Sequence, residues 1–402
     1  AVRLEGGAQV VLDTNGESVF PPGISGGAGY EWRFEVSTFV DLTPPQVEDI
    51  LPRPCANGGC PRNALVQINF NEPVDPTSVS GVAAIAGGGT TGTDLAPGSF
   101  RNSTVSYVSD GGTRRFVAGE FRIVNQYRTV EFVTADLCGR NSCGGDVFCL
   151  PGGSDLTVTV SAATVGPEPP TSAFPYDGVV DMAANSLDGN RDSVASGSGG
   201  TPYNLESPNS ATQGDDVTRN FHTSNLIDLN PPTILSVDPE LNEGDVPLDT
   251  PVAITWSKLM SFGALSNATV GLSAVPAAPG GEFWYGVWNL NVDATDSPAT
   301  GTPPVRSRSE VRHAPFFPSL CAGGERANAT CSTDSDCPGG SCARQDYYPG
   351  VTSMVRDLYQ NCFFPAAGPS ATGGTCAASA ESPFCCNGIA QPSPCAQGLP
   401  SP

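Results

Sequence analysis

The feature that most limits the fold is an internal repeat. Phe34 to Val47 reads FEVSTFVDLTPPQV, and Phe221 to Ile234 reads FHTSNLIDLNPPTI. Phe34 matches Phe221, Asp41 matches Asp228, and Pro44-Pro45 match Pro231-Pro232, all at one offset of 187 residues (221 minus 34). Self-similarity over so long a period implies tandem domains rather than a solenoid of small units. Soon after each copy comes an alternating segment, ALVQINFNEPVD from Ala64 to Asp75 and VAITWSKLM from Val252 to Met260. A period of two puts Val66, Ile68 and Phe70 on one buried face, with Leu65, Gln67, Asn69 and Asn71 alternating between them.

Other segments also read as strands. Glu120 to Ala135 has the pattern of a hairpin, and Asp155 to Val165 that of a further strand. Glu282 to Asp293 and Ser309 to Phe317 fill comparable places in the second copy. No segment carries a long helical period. Gly (47) and Pro (38) together exceed a fifth of the 402 residues, which suits short strands joined by turn-rich loops. The predicted fold class is all-β.

The repeat resembles the bacterial Ig-like domains of S-layer proteins. That family opens with D-x-x-P-P-x-V, here Asp41 to Val47, and has a strand ending F-S-E-P-M-D, here Phe70-Asn71-Glu72-Pro73-Val74-Asp75. A late turn, v-x-D-x-x-G-N-x-L, has its counterpart at Val179 to Leu187, with Ala184 where Gly is usual. The closing aromatic strand is Asn220-Phe221-His222-Thr223. The second copy is weaker: Trp256 to Met260 lacks the Glu-Pro pair, and its late turn is placed at Arg356 to Asn361. The resemblance implies tandem immunoglobulin-like β-sandwiches with surface, adhesive or structural roles and no shared active site.

These boundaries give three segments. Residues 1–42 hold one or more closing strands of an Ig-like unit. Residues 43–229 form a first Ig-like domain with Cys-containing insertions. Residues 230–402 form a second, Cys-rich toward its C-terminus and without an evident closing strand. Either the chain is a slice of a longer tandem array, or Trp32, Phe34 and Val36 belong to a strand donated to a neighbouring subunit. Repeating such a contact head to tail gives an open filament.

Fourteen cysteines point to an oxidising compartment and a disulfide framework: Cys55, Cys60, Cys138, Cys143, Cys149, Cys321, Cys331, Cys337, Cys342, Cys362, Cys376, Cys385, Cys386 and Cys395. The first domain holds an odd number of them, so complete pairing needs a bond that leaves that domain. No Cys-x-x-Cys occurs, and Cys331, Cys337 and Cys342 read as a disulfide-knotted loop rather than a zinc site. No apolar run is long enough to cross a membrane. No signal peptide is visible, which fits a chain starting after cleavage or inside a precursor.

With a net charge of −22 and only 19 Lys and Arg, the chain has no basic cluster for nucleic acid. The two histidines, His222 and His313, have no partner spacing that marks a catalytic device. Asp188, Asn190 and Asp192 have the alternating oxygens of a calcium loop but lack its later Gly and Glu, so calcium is a possible cofactor and no other is expected. Sequons occur at Asn102, Asn267 and Asn328. Trp284, Tyr285 and Trp288 form either strand core or an exposed glycan platform.

The sequence therefore predicts a non-catalytic structural subunit of an extracellular filament, pilus-like appendage or surface layer. Its partners would be copies of itself. The alternative is a surface adhesin whose loops bind glycan or a host protein.

Overall fold

The computed structural model describes residues 40–363, apart from 56–57, 142–143, 167–174, 241–242, 245, 248–249, 276–283, 293–304, 315–318, 344–345 and 353. It also describes the short strands Val2–Leu4, Tyr30–Trp32, Phe384–Cys386 and Ile389–Gln391. Residues Ala1–Leu42 and Thr43–Pro402 are two separate compact units. In the smaller, β1 (Val2–Leu4) pairs antiparallel with β2 (Tyr30–Trp32), with Val2 opposite Trp32. Phe34 and Val36 lie outside the described residues.

The larger unit contains two layered β-assemblies. The first runs through β3 (Val47–Leu51), β4 (Val66–Phe70), β5 (Gly81–Ala83), β6 (Thr91–Gly92), β7 (Ser103–Val108) and β8 (Arg114–Val117). It continues with β9 (Gly119–Val124), β10 (Thr129–Thr134), β11 (Leu137–Arg140), β12 (Asp146–Phe148), β13 (Asp155–Val160), β14 (Pro202–Asn204) and β15 (Gly214–His222). A 5-stranded sheet, β3-β4-β10-β9-β5, faces a 6-stranded sheet, β14-β15-β13-β7-β8-β6. Ile68, Phe70, Phe121 and Phe132 from one sheet and Val105, Leu156, Val158 and Phe221 from the other build the core. Each such side chain contributes roughly 1.5–3 kcal/mol on burial. Phe121 and Phe132 meet at 4.6 Å between ring centroids.

The second assembly contains β16 (Ile234–Asp238), β17 (Val252–Trp256), β18 (Val270–Val275), β19 (Trp284–Val292) and β20 (Arg306–Ala314). The hairpin β21 (Leu320–Ala322) and β22 (Ser341–Ala343) follows, then β23 (Asp346–Val351). A 4-stranded sheet, β16-β17-β20-β19, faces the pair β18-β23. Its core gathers Trp256, Met260, Leu272, Val287, Val311, Val351 and Phe363. Trp256 Nε1 donates to Ser309 Oγ (3.0 Å), Ser309 Oγ donates to Asn289 Oδ1 (2.8 Å), and Asn289 Nδ2 donates to the Leu265 carbonyl (3.0 Å). A buried polar chain whose members bond one another avoids the desolvation cost of orphaned groups.

The repeat is visible in backbone detail. β3 and β16 lie at the same offset and each runs into a cis X-Pro bond, Leu51-Pro52 and Asp238-Pro239. Asp181 Oδ1 accepts the N–H of Ala183 and of Asn185, and Asp181 Oδ2 accepts Asn185 Nδ2. Asp357 repeats this with Tyr359 N–H, Asn361 N–H and Asn361 Nδ2. Each turn needs one left-handed residue. Ala184 (φ 68°) and Gln360 (φ 67°) supply it where glycine would be least strained.

One sequence expectation is changed by packing. β4 gives Val66, Ile68 and Phe70 to the first core, but Gln67 between them is 0 % exposed as well. Residues of the second assembly cover its face. Among the described residues, no helix is long and apolar enough to cross a membrane.

Candidate functional site: the polar seam between the assemblies

The face of the first assembly that carries Gln67 also carries Glu131, one strand over and directly opposite it. Gln67 Nε2 donates to Glu131 Oε1 (3.0 Å) and to the Met260 carbonyl (3.3 Å), while Gln67 Oε1 accepts Asn291 Nδ2 (2.9 Å). Glu131 Oε1 accepts the Phe262 N–H (2.6 Å), and Oε2 accepts Ser261 Oγ (2.9 Å) and the Gly263 N–H (3.2 Å). The carboxylate thus satisfies the open N–H groups of the 3-10 turn Phe262–Ala264 in the second assembly. Burial pushes the Glu131 carboxyl above its ordinary range, while these donors pull against that rise.

A second cluster lies beside the late turn of the second assembly. Asn63 Nδ2 donates to the carbonyls of Asp228 and Tyr359, each at 2.7 Å. Gln360 Nε2 donates to the Asn63 carbonyl (2.8 Å) and the Phe148 carbonyl (2.7 Å), and its Oε1 accepts the Phe148 N–H (2.9 Å). Asn141 Nδ2 donates to the Gln360 carbonyl at 2.8 Å. Lys258 Nζ pairs with Asp357 (2.6 Å) and Asp228 (3.0 Å) and lies over the Tyr359 ring. Burial, with the Asp228 and Asp357 charges beside it, pushes the Tyr359 hydroxyl up to about 12. Leu51, Leu65 and Leu358 form a small apolar cluster across the same seam.

The third contact is the β9–β10 turn. Asn125, Gln126 and Tyr127 are all left-handed, at φ 51°, 55° and 66°. Such strain persists where surrounding contacts hold it. Here Asn125 Oδ1 and Nδ2 bracket the N–H and carbonyl of Asn289, both at 2.9 Å, and Gln126 Nε2 donates to the Val287 carbonyl (3.1 Å). Asn267, from the second assembly itself, brackets Tyr285 O and Val287 N. Three amide side chains therefore occupy the outer edge of β19. Trp288 stacks between the guanidinium groups of Arg128 (4.6 Å) and Arg312 (4.9 Å). Tyr285 and Trp288 are half-buried, and the Trp284 side chain lies outside the described residues.

The other candidates fall elsewhere. His222 is exposed, with Nδ1 2.8 Å from Asp155. His313 bonds the Thr250 backbone, and burial holds its imidazole below the ordinary range. In the Asp188–Asp192 loop, Asp188 accepts the N–H of Asp192 and of Ser193, Asn190 Oδ1 accepts Asp192 N–H, and Asp192 Oδ1 accepts Val194 N–H. Asp188 Oδ2 also accepts Gln46 Nε2 (2.7 Å), and Asp192 Oδ2 accepts Asn190 Nδ2 (3.3 Å). Asn102 is buried, its amide given to carbonyls including Ser78 and Tyr176. Asn267 is held at the β19 edge, and Asn328 is exposed at φ 69°.

Disulfides join Cys55–Cys60, Cys138–Cys149, Cys321–Cys337 and Cys331–Cys342. The sulfurs of Cys321, Cys331 and Cys337 lie close together, but each is consumed in a disulfide and offers no thiolate. Cys362 is disulfide-bonded too. Cys143, Cys376 and Cys395, and the side chains of Cys385 and Cys386, lie outside the described residues.

Sequence reasoning missed Gln67, Glu131, Asn63 and Gln360. The available signal was polar residues inside strand patterns: the Gln of VQINF and the Glu of TVEFVT, facing each other across one ladder.

The fold and seam define an all-β, disulfide-bearing protein of two layered assemblies locked by buried side-chain amides and carboxylates. No family model and no curated protein matches the chain. Among solved structures it is similar to the N-terminal part of the bacterial S-layer protein SbsC, at 12% identity and a TM-score of 0.21, covering 67% of this chain and 43% of that one. A longer structure, the S-layer protein rSbsC(31-844), matches at 10% identity and a TM-score of 0.21, over 79% of this chain and 33% of that one. The chain therefore spans less than half of either, and likeness at this level carries no argument about its fold or role.

Proposed function

We propose that the chain is a non-catalytic structural subunit of an extracellular filament, pilus-like appendage or surface layer, with both assemblies acting as immunoglobulin-like sandwiches. The observation that carries this reading is the seam. Its hydrogen bonds, ion pairs and leucine cluster fix the two assemblies as one stiff element, which suits a part that transmits load. The disulfides support an extracellular or surface setting.

Copies join head to tail by strand complementation. The repeat aligns Phe34 with Phe221, whose strand β15 pairs with β13 at Leu156. β23 pairs with β18 as β13 pairs with β7, and among the described residues nothing pairs with its other edge. A strand carrying Trp32, Phe34 and Val36 would fill that edge in a neighbouring copy. Two aromatic anchors contribute roughly 1.5–3 kcal/mol each, beyond the ladder bonds.

The test is electron microscopy and sedimentation of the purified chain with and without residues 1–42. The full chain should form linear assemblies, and the truncated one should keep its far-ultraviolet spectrum yet stay monomeric. A truncated chain that assembles equally well rules out strand exchange. A full chain that never self-associates rules out the structural-subunit reading.

A further inference from the structure

Lys258 is the only lysine in the chain, and its side chain is 17 % exposed. Nζ lies 2.6 Å from Asp357 Oδ2 and 3.0 Å from Asp228 Oδ2, and it donates to the Asn230 carbonyl at 2.7 Å. The Tyr359 ring sits over it, with Nζ 4.8 Å from the ring centroid. Asp357 is 0 % exposed. Its Oδ1 accepts the N–H groups of Tyr359 (3.0 Å) and Asn361 (2.8 Å), and its Oδ2 accepts Asn361 Nδ2 (3.1 Å).

The late turn folds without a lysine. Asp181 accepts the same pair of backbone N–H groups in the first assembly, and the offset of 187 puts Asn71 where the second copy has Lys258 (258 minus 187). Lysine is strongly hydrated and rarely placed against a buried carboxyl. Burial pushes the Asp357 carboxyl above its ordinary range, with the Lys258 charge pulling against that rise. A proton passed from Nζ to Oδ2 turns the pair into a neutral amine and a neutral acid, the forms that a desolvated site favours. A desolvated lysine amine is a nucleophile. The carboxyl carbon is one C–O bond beyond the oxygen that Nζ touches, near the separation of about 3–3.5 Å from which such attacks start.

We propose that Lys258 and Asp357 join in an intramolecular amide bond. Nζ attacks Cγ of the Asp357 acid. The negative charge that develops on Oδ1 is received by the N–H groups of Tyr359 and Asn361, already aimed at that atom. Asp228 takes the proton that Nζ gives up and returns it to Oδ2. The Cγ–Oδ2 bond then breaks and one water leaves. Ammonium plus carboxylate become amide plus water, so no oxidant, reductant or co-reactant is needed. The amide oxygen still accepts the two N–H bonds of the turn. The new bond ties the end of β17 to the late turn, 99 residues on (357 minus 258), whether or not copies of the chain assemble.

The test is digestion of the full chain, denatured and with its disulfides reduced, by a protease that cuts after unmodified lysine. A free Lys258 amine lets the chain be cut once, and an amide leaves it whole. The intact mass should fall short of the sequence by one water, and tandem mass spectrometry should recover a branched peptide joining Lys258 to Asp357. Lys258→Arg keeps the charge without the nucleophile, and Lys258→Asn takes the residue of the first copy. Both should keep the far-ultraviolet spectrum and show the full mass. A cyclic imide at Asp357 also loses water, but it would persist in both variants and leave Lys258 of the parent open to the protease, which overturns the proposal. Asp228→Asn should slow bond formation at least about tenfold, read as the fraction still cut over time. The proposal is also overturned if the parent chain has its full mass, if a loss of ammonia joins Lys258 to Asn361 instead, or if Asp228→Asn forms the bond as fast as the parent.

Discussion

Glu131 on β10 accepts the backbone N–H of Phe262 at 2.6 Å, a bond between residues 131 positions apart in the chain. That one carboxylate also holds Ser261, Gly263 and Gln67. Glu131→Ala would strand those donors in a dry seam. The expected loss is about 3 kcal/mol of unfolding free energy, since each buried unmet donor costs about 1–3 kcal/mol. Urea denaturation followed by tryptophan fluorescence measures it, because Trp256 reports the second core. A loss confined to a few tenths would show that the seam does not couple the assemblies.

The same residue sets a pH dependence. Burial raises the Glu131 carboxyl above its unfolded value. Its proton is then held in the folded state at a pH where the unfolded chain has released it. The contribution is complete below the unfolded value of about 4.3 and is lost as pH rises through the folded value. The stability of the parent minus that of Glu131→Gln should therefore fall with rising pH across that window. A difference that rises instead would mean that the donors outweigh burial.

Ala184 and Gln360 allow a paired comparison at the two left-handed turn positions. Ala184→Gly should stabilise by about 1 kcal/mol, because only conformational strain is relieved. Gln360→Gly relieves the same strain but removes the bonds to Asn63 and Phe148, and should destabilise by about 2 kcal/mol net. Thermal unfolding of both variants checks the opposite signs.

Peptide mapping without reduction should recover the four disulfides described, and one more. Cys143 is the remaining cysteine of the first assembly once Cys55–Cys60 and Cys138–Cys149 have formed. Its neighbour Asn141 donates to the Gln360 carbonyl, two residues before the disulfide-bonded Cys362. A Cys143–Cys362 cross-link is the expected species. Recovery of Cys143 as a free thiol would contradict it.

The strand framework was legible because alternation needs only one core to explain it. Val66, Ile68 and Phe70, or Leu156, Val158 and Val160, announce a face whatever lies beyond it. The seam was not legible for the same reason. Gln67 and Glu131 look like solvent-facing positions when each strand is read alone, and only the second assembly turns that face into an interior. Arg219 was hidden differently. It occupies an inward place between Val217 and Phe221, and its counter-charge Asp49 lies 170 residues away in sequence. In the Asp188–Asp192 loop the spacing of the acids pointed to a cation, and it gave no sign that Asp188 also accepts Gln46 Nε2 or that Arg191 reaches β3.

The outer edge of β19 has a consequence for crowding. Along it the Tyr285 carbonyl, and both the N–H and the carbonyl of Val287 and of Asn289, are already taken by Asn267, Gln126 and Asn125. An exposed edge is a template for indiscriminate sheet growth. With this one sealed by amides, molecules packed side by side at high density cannot fuse laterally through it. Contacts between them are restricted to other surfaces, so a dense layer could remain a set of separable parts instead of setting into a continuous sheet.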